Sequence, residues 1–416
     1  MIIFDTRNNK NKNMIPLIAS ISPYTYIIIA SLIVIVSYVF NHISEKTSIP
    51  SVLMLITLGL IINYSLKYFG MPELELLSWL EILGIIGLIM IVLEAALDLE
   101  LTKEKLPVII KSFSSALLGI CLYVVIIAFV MQGFIPSIDY ITAMIYAIPI
   151  SIMSSAIVIP SVNGLTKEKK EFMIYESTFA DILGIMFFYF LIGNVEATSF
   201  GEVSMVVIGN ILLTIAFSFI STFILLFIFQ RIHSEIKLFV FLAVLIALYA
   251  IGKTFHMSAL LIILVFGMVL ENRHLFIRGK LKKYYNQIAI QEVFKDFKVL
   301  TIETSFIIRT FFFVVFGMTI SLGSLLSMTV LEVSAISLVI IYSIRFLLLK
   351  AVLKTNILPQ LAIAPRGLIS ILLFFNIPEA FKIDDFESGI ILFIVIATCI
   401  IMAVSMVKTK NQKCVQ

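Results

Sequence analysis

Charge is scarce in this chain. Asp, Glu, Lys and Arg make up only 13% of its 416 residues, against roughly 25% in a soluble domain, so water is not its main solvent. Cysteine is nearly absent too. Cys121 and Cys399 stand inside apolar runs and Cys414 in the tail, with no CxxC spacing. That excludes a disulfide framework and a cysteine metal site, and leaves the three as small apolar residues. The four histidines, His42, His233, His256 and His274, form no HExxH pattern, and no GxxxxGKS loop occurs, so neither a zinc hydrolase nor an ATP-driven pump is supported. No nucleophile, base and orienting group recur together, which argues against a membrane enzyme. The first twenty residues are polar and rich in Asn and Lys, and read as no cleaved signal peptide; Met14 offers a second start.

What is abundant is apolar length. Hydrophobic residues reach 61%, and the mean hydropathy of +1.11 is spread along the whole chain, which predicts an all-α polytopic membrane protein. Apolar runs between charged or Pro- and Gly-marked breaks give thirteen spans, near 24–43, 49–66, 76–98, 105–133, 140–162, 169–194, 201–230, 236–253, 256–270, 300–320, 325–353, 359–376 and 386–407. The polar stretch 271–299 reads as a loop with an amphipathic helix on the membrane face. The net charge of +4 implies no nucleic-acid partner, because in a membrane the position of each cation matters more than the sum.

Position is informative here. With the N-terminus outside, the inner side receives twenty-one Lys and Arg, among them Lys103, Lys105, Lys167, Lys169, Lys170, Lys280, Lys282 and Lys283, and the outer side six. The asymmetry supports thirteen spans, a plasma-membrane location and a C-terminus in the cytoplasm. Three arginines remain within spans: Arg309, Arg345 and Arg366. Arg at a span centre costs about 2.5–3.5 kcal/mol on insertion scales, so each needs a partner or an aqueous cavity. For Arg309 the sequence offers Glu303 as a partner, or a role in setting the potential of a cavity.

The fifth span is broken by Pro149 and Pro160 around Ser154 and Ser155, and the twelfth by Pro365 and Gly367 beside Arg366. Two interrupted helices at corresponding places in two halves predict inverted repeats, 24–194 and 236–407, joined by a connecting helix at 201–230 and flanked by tails 1–23 and 408–416.

Within span six lies Glu176-Ser177-Thr178-Phe179-Ala180-Asp181. A carboxylate as far from water as Asp181 is functional by default. Ser177, four residues earlier, shares its helix face and offers a second oxygen, and Ser154 and Ser155 at the break offer more. Oxygen ligands suit an alkali cation and not a soft metal. Burial penalises the charged form of an acid, so one site can hold either a proton or Na⁺ (or Li⁺), and exchange follows if only loaded states cross. Glu176 lies about 7.5 Å nearer the inner face, at nearly the depth of Arg345. A Glu176–Arg345 ion pair is the first expectation, with Arg366 second; it leaves Asp181 as the exchangeable acid and favours one proton per cation. Glu94 and Asp98 share a face near the inner end of span three and read as a solvated helix end. Potassium/proton exchange on the same scaffold is the nearest rival reading, and a cation channel or membrane sensor a more distant one. A channel predicts a continuous polar stripe, whereas the polar residues here cluster at the broken helices.

These residues resemble the monovalent cation:proton antiporter superfamily, the sodium/hydrogen exchangers, over roughly 24–407. The electroneutral branch carries E-S-x-x-N-D, here Glu176 to Asp181. The family's Arg-Gly pattern appears as Arg366-Gly367-Leu368-Ile369-Ser370, its eleventh-span Arg, which pairs with the motif Glu, as Arg345, and a third-span pattern as Leu93-Glu94-Ala95-Ala96-Leu97. The resemblance implies an elevator-type exchanger without a cofactor, usually a homodimer in the lipid bilayer, in which spans 4–6 and 11–13 slide against a dimerisation domain. Two departures stand out. Ala180 occupies the place of the branch-defining Asn or acid, and Ser155 lies near where many electroneutral members have the Asp of T-D-P.

Overall fold

The computed structural model describes residues 23–415 apart from 48, 69–75, 136–137, 194–199, 230–236, 256–258, 277–286, 321–324, 326, 355 and 384–388. Its α-helices are α1 (Pro23–Thr47), α2 (Ser51–Tyr68), α3 (Leu77–Leu97), α4 (Leu106–Phe134), α5 (Tyr140–Ser151), α6 (Ser155–Ser161), α7 (Lys167–Gly193), α8 (Phe200–Phe229), α9 (Lys237–Thr254), α10 (Ala259–Glu271), α11 (Arg273–Phe276), α12 (Gln287–Thr319), α13 (Met328–Leu353), α14 (Leu368–Phe375) and α15 (Gly389–Val415). No strand occurs among the described residues. Eight spans there are long and apolar enough to cross a bilayer, the broken α5–α6 segment among them, and four shorter apolar helices accompany them. This is a multi-pass membrane protein.

One expectation needs correction and another gains detail. The tenth span does not begin near 300: α12 starts at Gln287 and runs unbroken to Thr319, because the stretch has no proline and no glycine before Gly317. The amphipathic segment sought in 271–299 is in part the first turns of that helix, and 277–286 lies outside the described residues. The twelfth span is interrupted, and its helical part is α14. Residues 358–362 form turns and 363–367 are irregular before α14 begins, since Pro365 removes a donor and biases Ala364 away from helical dihedrals.

The helices pack in two groups. In one, α4 lies against α5, α7 and α13, with α6 on α7, α14 on α5 and α15 on α13; in the other, α12 runs along α2 and α3, and α10 touches α3, α8 and α9. Contact between lipid-embedded helices relies on close backbone approach instead of hydrophobic exclusion. The α2–α12 crossing shows this. A Cβ on Gly317 would sit 2.3 Å from the Ile56 carbonyl oxygen, and one on Gly59 would sit 2.2 Å from that of Val314, so neither position has room for a methyl group. The C-terminal end of α3 is tied down separately. Lys298 Nζ donates to the Leu97 carbonyl (2.8 Å) and pairs with Asp98 (3.1 Å), while Asn272 accepts from the Leu101 amide (2.6 Å) and donates to the Leu99 carbonyl (2.7 Å). Orphan carbonyls at a helix C-terminus favour such cationic and amide partners.

Gly317→Val is expected to lower the midpoint of thermal unfolding in detergent, at a cost of about 1–3 kcal/mol typical of overpacking. Gly209→Ala is the control, since a Cβ there meets nothing within 4 Å. Equal midpoints for the two variants would rule out the tight crossing.

Candidate functional site

The site is built where the two broken spans meet. Asp139 caps α5, accepting from the Ile141 and Thr142 amides. The helix stops at Ser151 because Ile152 is extended, one turn after Pro149. Residues 152–154 meet the irregular stretch 363–367, and the Ser154 amide donates to the Pro365 carbonyl at 2.8 Å. Gly367 permits the crossing: a Cβ there would lie 2.6 Å from Ser154 Oγ.

Breaking α5 exposes carbonyls far from water, where each unsatisfied backbone group costs several kcal/mol. Arg366 meets them. Its Nε donates to the Ile150 carbonyl (2.8 Å), Nη2 to that of Ser151 (3.4 Å) and Nη1 to that of Ala364 (2.6 Å). Its own amide donates to Thr398 Oγ1 (3.0 Å), and the Tyr123 ring lies 5.7 Å from the guanidinium. Arg366 is therefore not part of the ion pair with Glu176; it neutralises the C-terminal end of the half-helix.

Glu176 has another partner. Arg345 Nη2 donates to its Oε2 (2.9 Å) and Nη1 to its Oε1 (3.2 Å), and Ser115 Oγ donates to Oε1 (2.6 Å). The Gln360 carbonyl takes the remaining face of Arg345, accepting from Nε at 3.1 Å and Nη2 at 2.9 Å. Both charged side chains are buried, and the pair spans α7 and α13, with α4 and the 358–362 turns closing it.

Asp181 is five residues further along α7, only 2% exposed. Its Oδ2 accepts from the Ser155 amide at 2.9 Å. Its Oδ1 has no hydrogen-bond partner among the described residues, and neither have the buried hydroxyls of Ser154 and Ser370. Ser177 is buried on the same helix, with its Oγ donating to the Ile174 carbonyl at 3.1 Å; its oxygen lone pairs are not spent in that bond.

A cavity of about 470 Å³ adjoins this region. Ser155, Ala156, Glu94 and Arg309 are among the residues that line it. Here the sequence reading needs two corrections. Arg309 does not reach Glu303, which is exposed: its Nη2 lies 3.3 Å from Glu94 Oε2, and its Nη1 donates to the Ala156 carbonyl at 3.3 Å. Glu94 is accordingly a cavity residue, not part of a solvated helix end, and Asp98 is held by Lys298. Sequence reasoning missed the pairing because Glu94 and Arg309 are far apart along the chain; their shared depth within two spans was the one available signal.

Removing one member of a buried, bidentate pair leaves the other uncompensated, at about 3–5 kcal/mol. Glu176→Ala and Arg345→Ala are each expected to destabilise the protein by that order, and the double variant by much less than the sum. Additive losses in detergent unfolding would show that the two side chains do not act as a unit.

The sequence from 28 to 409 matches the profile of a transporter family described as "Sodium/hydrogen exchanger, transmembrane". Among solved structures, the sodium proton antiporter MjNhaP1 from Methanocaldococcus jannaschii at pH 8 superposes with a TM-score of 0.66 at 20% identity, covering 92% of this chain and 97% of that one. A map of the same antiporter by electron microscopy gives a TM-score of 0.66 at 19% identity, over 94% and 97%. At this identity the likeness establishes the fold. No curated protein matches the sequence. The family match extends across nearly all of the membrane region, and on it the chain belongs to the sodium/hydrogen exchanger family, whose members are transporters and not enzymes.

Proposed function

We propose that the protein is a secondary antiporter in which Na⁺ (or Li⁺) and H⁺ compete for Asp181. One observation carries the reading. Asp181 is a buried carboxylate with one oxygen held by the Ser155 amide and the other unpartnered among the described residues, next to a residue that lines the cavity. An acid so placed is stable when a proton or a cation occupies its open side, and unfavourable when charged and empty. Ser154, Ser155 and Ser177 supply neutral oxygens of the kind an alkali ion requires. The transported ions are the substrates.

The coupling follows from which acids are free to titrate. Glu176 is bound to Arg345 by two hydrogen bonds, so Asp181 alone exchanges and each cation replaces one proton, an electroneutral cycle. The helices that hold these residues, α4 to α7 and α13 to α15, form the unit that slides in an elevator-type step against the helices around α12. That motion suits a site whose ion pair and broken spans all belong to one packed group. The proposal includes a homodimer, with the N-terminus outside and the Lys-rich loops in the cytoplasm.

Proton flux in everted membrane vesicles tests the reading. Na⁺ and Li⁺ are expected to drive H⁺ movement in the wild type and not in Asp181→Asn; persistence of the cation response in that variant would sink the assignment. A response to K⁺ in place of Na⁺ would keep the site and change the cargo. Competition adds a quantitative mark: the apparent KM for Na⁺ should rise with acidity, approaching about tenfold per pH unit once the protonated form dominates. A KM indifferent to pH would argue for separate sites.

A further inference from the structure

The Glu94–Arg309 pair is required neither by the broken helices nor by competition at Asp181. It differs in kind from the Glu176–Arg345 pair. Charge-assisted N–H···O bonds are normally about 2.7–2.9 Å, and Arg345 reaches 2.9 Å in a dry setting. Arg309 makes no such bond. Its three acceptors, both Glu94 oxygens and the Ala156 carbonyl, lie at 3.3–3.4 Å, and its side chain and that of Glu94 keep 17% and 19% of their surface open. A guanidinium shared among three acceptors at this range on a cavity wall is held less firmly than one in a short bidentate pair. It is therefore exchangeable, where the buried pair is not.

Its position gives the exchange a meaning. The three oxygens that Arg309 holds come from α3 and α6, and the Ala156 carbonyl follows directly on Ser155, whose amide holds Asp181. A carboxylate and a backbone carbonyl facing one cavity are ligands that a hard monovalent cation would use. We propose that Arg309 is a tethered rival of the transported cation: it occupies these oxygens when the cavity is empty and yields them to an alkali ion on its way to Asp181. Arg309 thus sets how much cation is needed to load the site, and leaves the rate of the loaded step untouched. This inference rests on the exchange reading given above.

The test is a Na⁺ titration of exchange in proteoliposomes holding the full chain, at fixed pH on both sides. Arg309→Gln is expected to lower the apparent KM for Na⁺, on the order of fivefold for loss of one nearby positive charge, with Vmax held within about twofold. Arg309→Lys keeps the charge and should stay close to wild type in KM. A KM in Arg309→Gln that is unchanged or raised would overturn the proposal, as would a loss confined to Vmax, which is what a purely structural role produces. If Arg309→Gln fails to reach the membrane, Glu94→Gln decides. It leaves the cation of Arg309 without its counter-charge and should raise the KM on the order of fivefold; an unmoved value overturns the idea. Asp181→Asn in the same assay separates the two claims. Exchange surviving there defeats the competition at Asp181, whereas a silent Asp181→Asn together with an unmoved KM in Arg309→Gln defeats only the role of Arg309.

Discussion

Lipid cannot hydrogen-bond a peptide group, and two broken spans carry such groups into the interior of this protein. Much of the surrounding structure satisfies them. The Ser154 amide goes to the Pro365 carbonyl, the carbonyls that end α5 go to Arg366, and the Arg366 amide goes to Thr398 on α15. Each break is thus completed by the other break or by a neighbour, which holds α5, α6, α14 and α15 together. Asp181 is tied to that frame, because the amide that contacts its carboxylate begins the helix after the first break.

The same constraint sorts the charges by tolerance for change. Glu176 and Arg345 are buried, bidentate and joined by Ser115 and the Gln360 carbonyl, so either one alone would be an isolated charge in an apolar setting. Glu94 and Arg309 touch at longer range on a cavity wall. Asp181 lies between these extremes, half satisfied by one amide.

How far the site was legible follows from where its signals lie. Glu176, Ser177 and Asp181 sit within one helical turn and a half, so spacing alone put them on α7, and depth brought Arg345 level with Glu176. The role of Arg366 was not legible, since its partners are backbone carbonyls and a carbonyl leaves no mark in a sequence. Glu94 was misread for a related reason. Near the end of an apolar run, a carboxylate facing water and one facing an arginine on another helix look the same. The start of α12 was lost because mixed polarity in 287–299 resembles a loop when only apolar length is scored.

Sequence by itself determined that the chain crosses a membrane many times, that two of its spans are broken, and that Glu176 and Asp181 lie deep within one span. Each of these depends on local composition: apolar length, proline and glycine position, or a charge inside an apolar run. Tertiary structure alone decided which groups meet, namely Arg309 with Glu94 and Ala156, Arg366 with the end of α5, and Lys298 with the end of α3. Those contacts join residues from 153 to 216 positions apart, and hydropathy sets the depth of a residue while leaving its direction around the helix axis to packing.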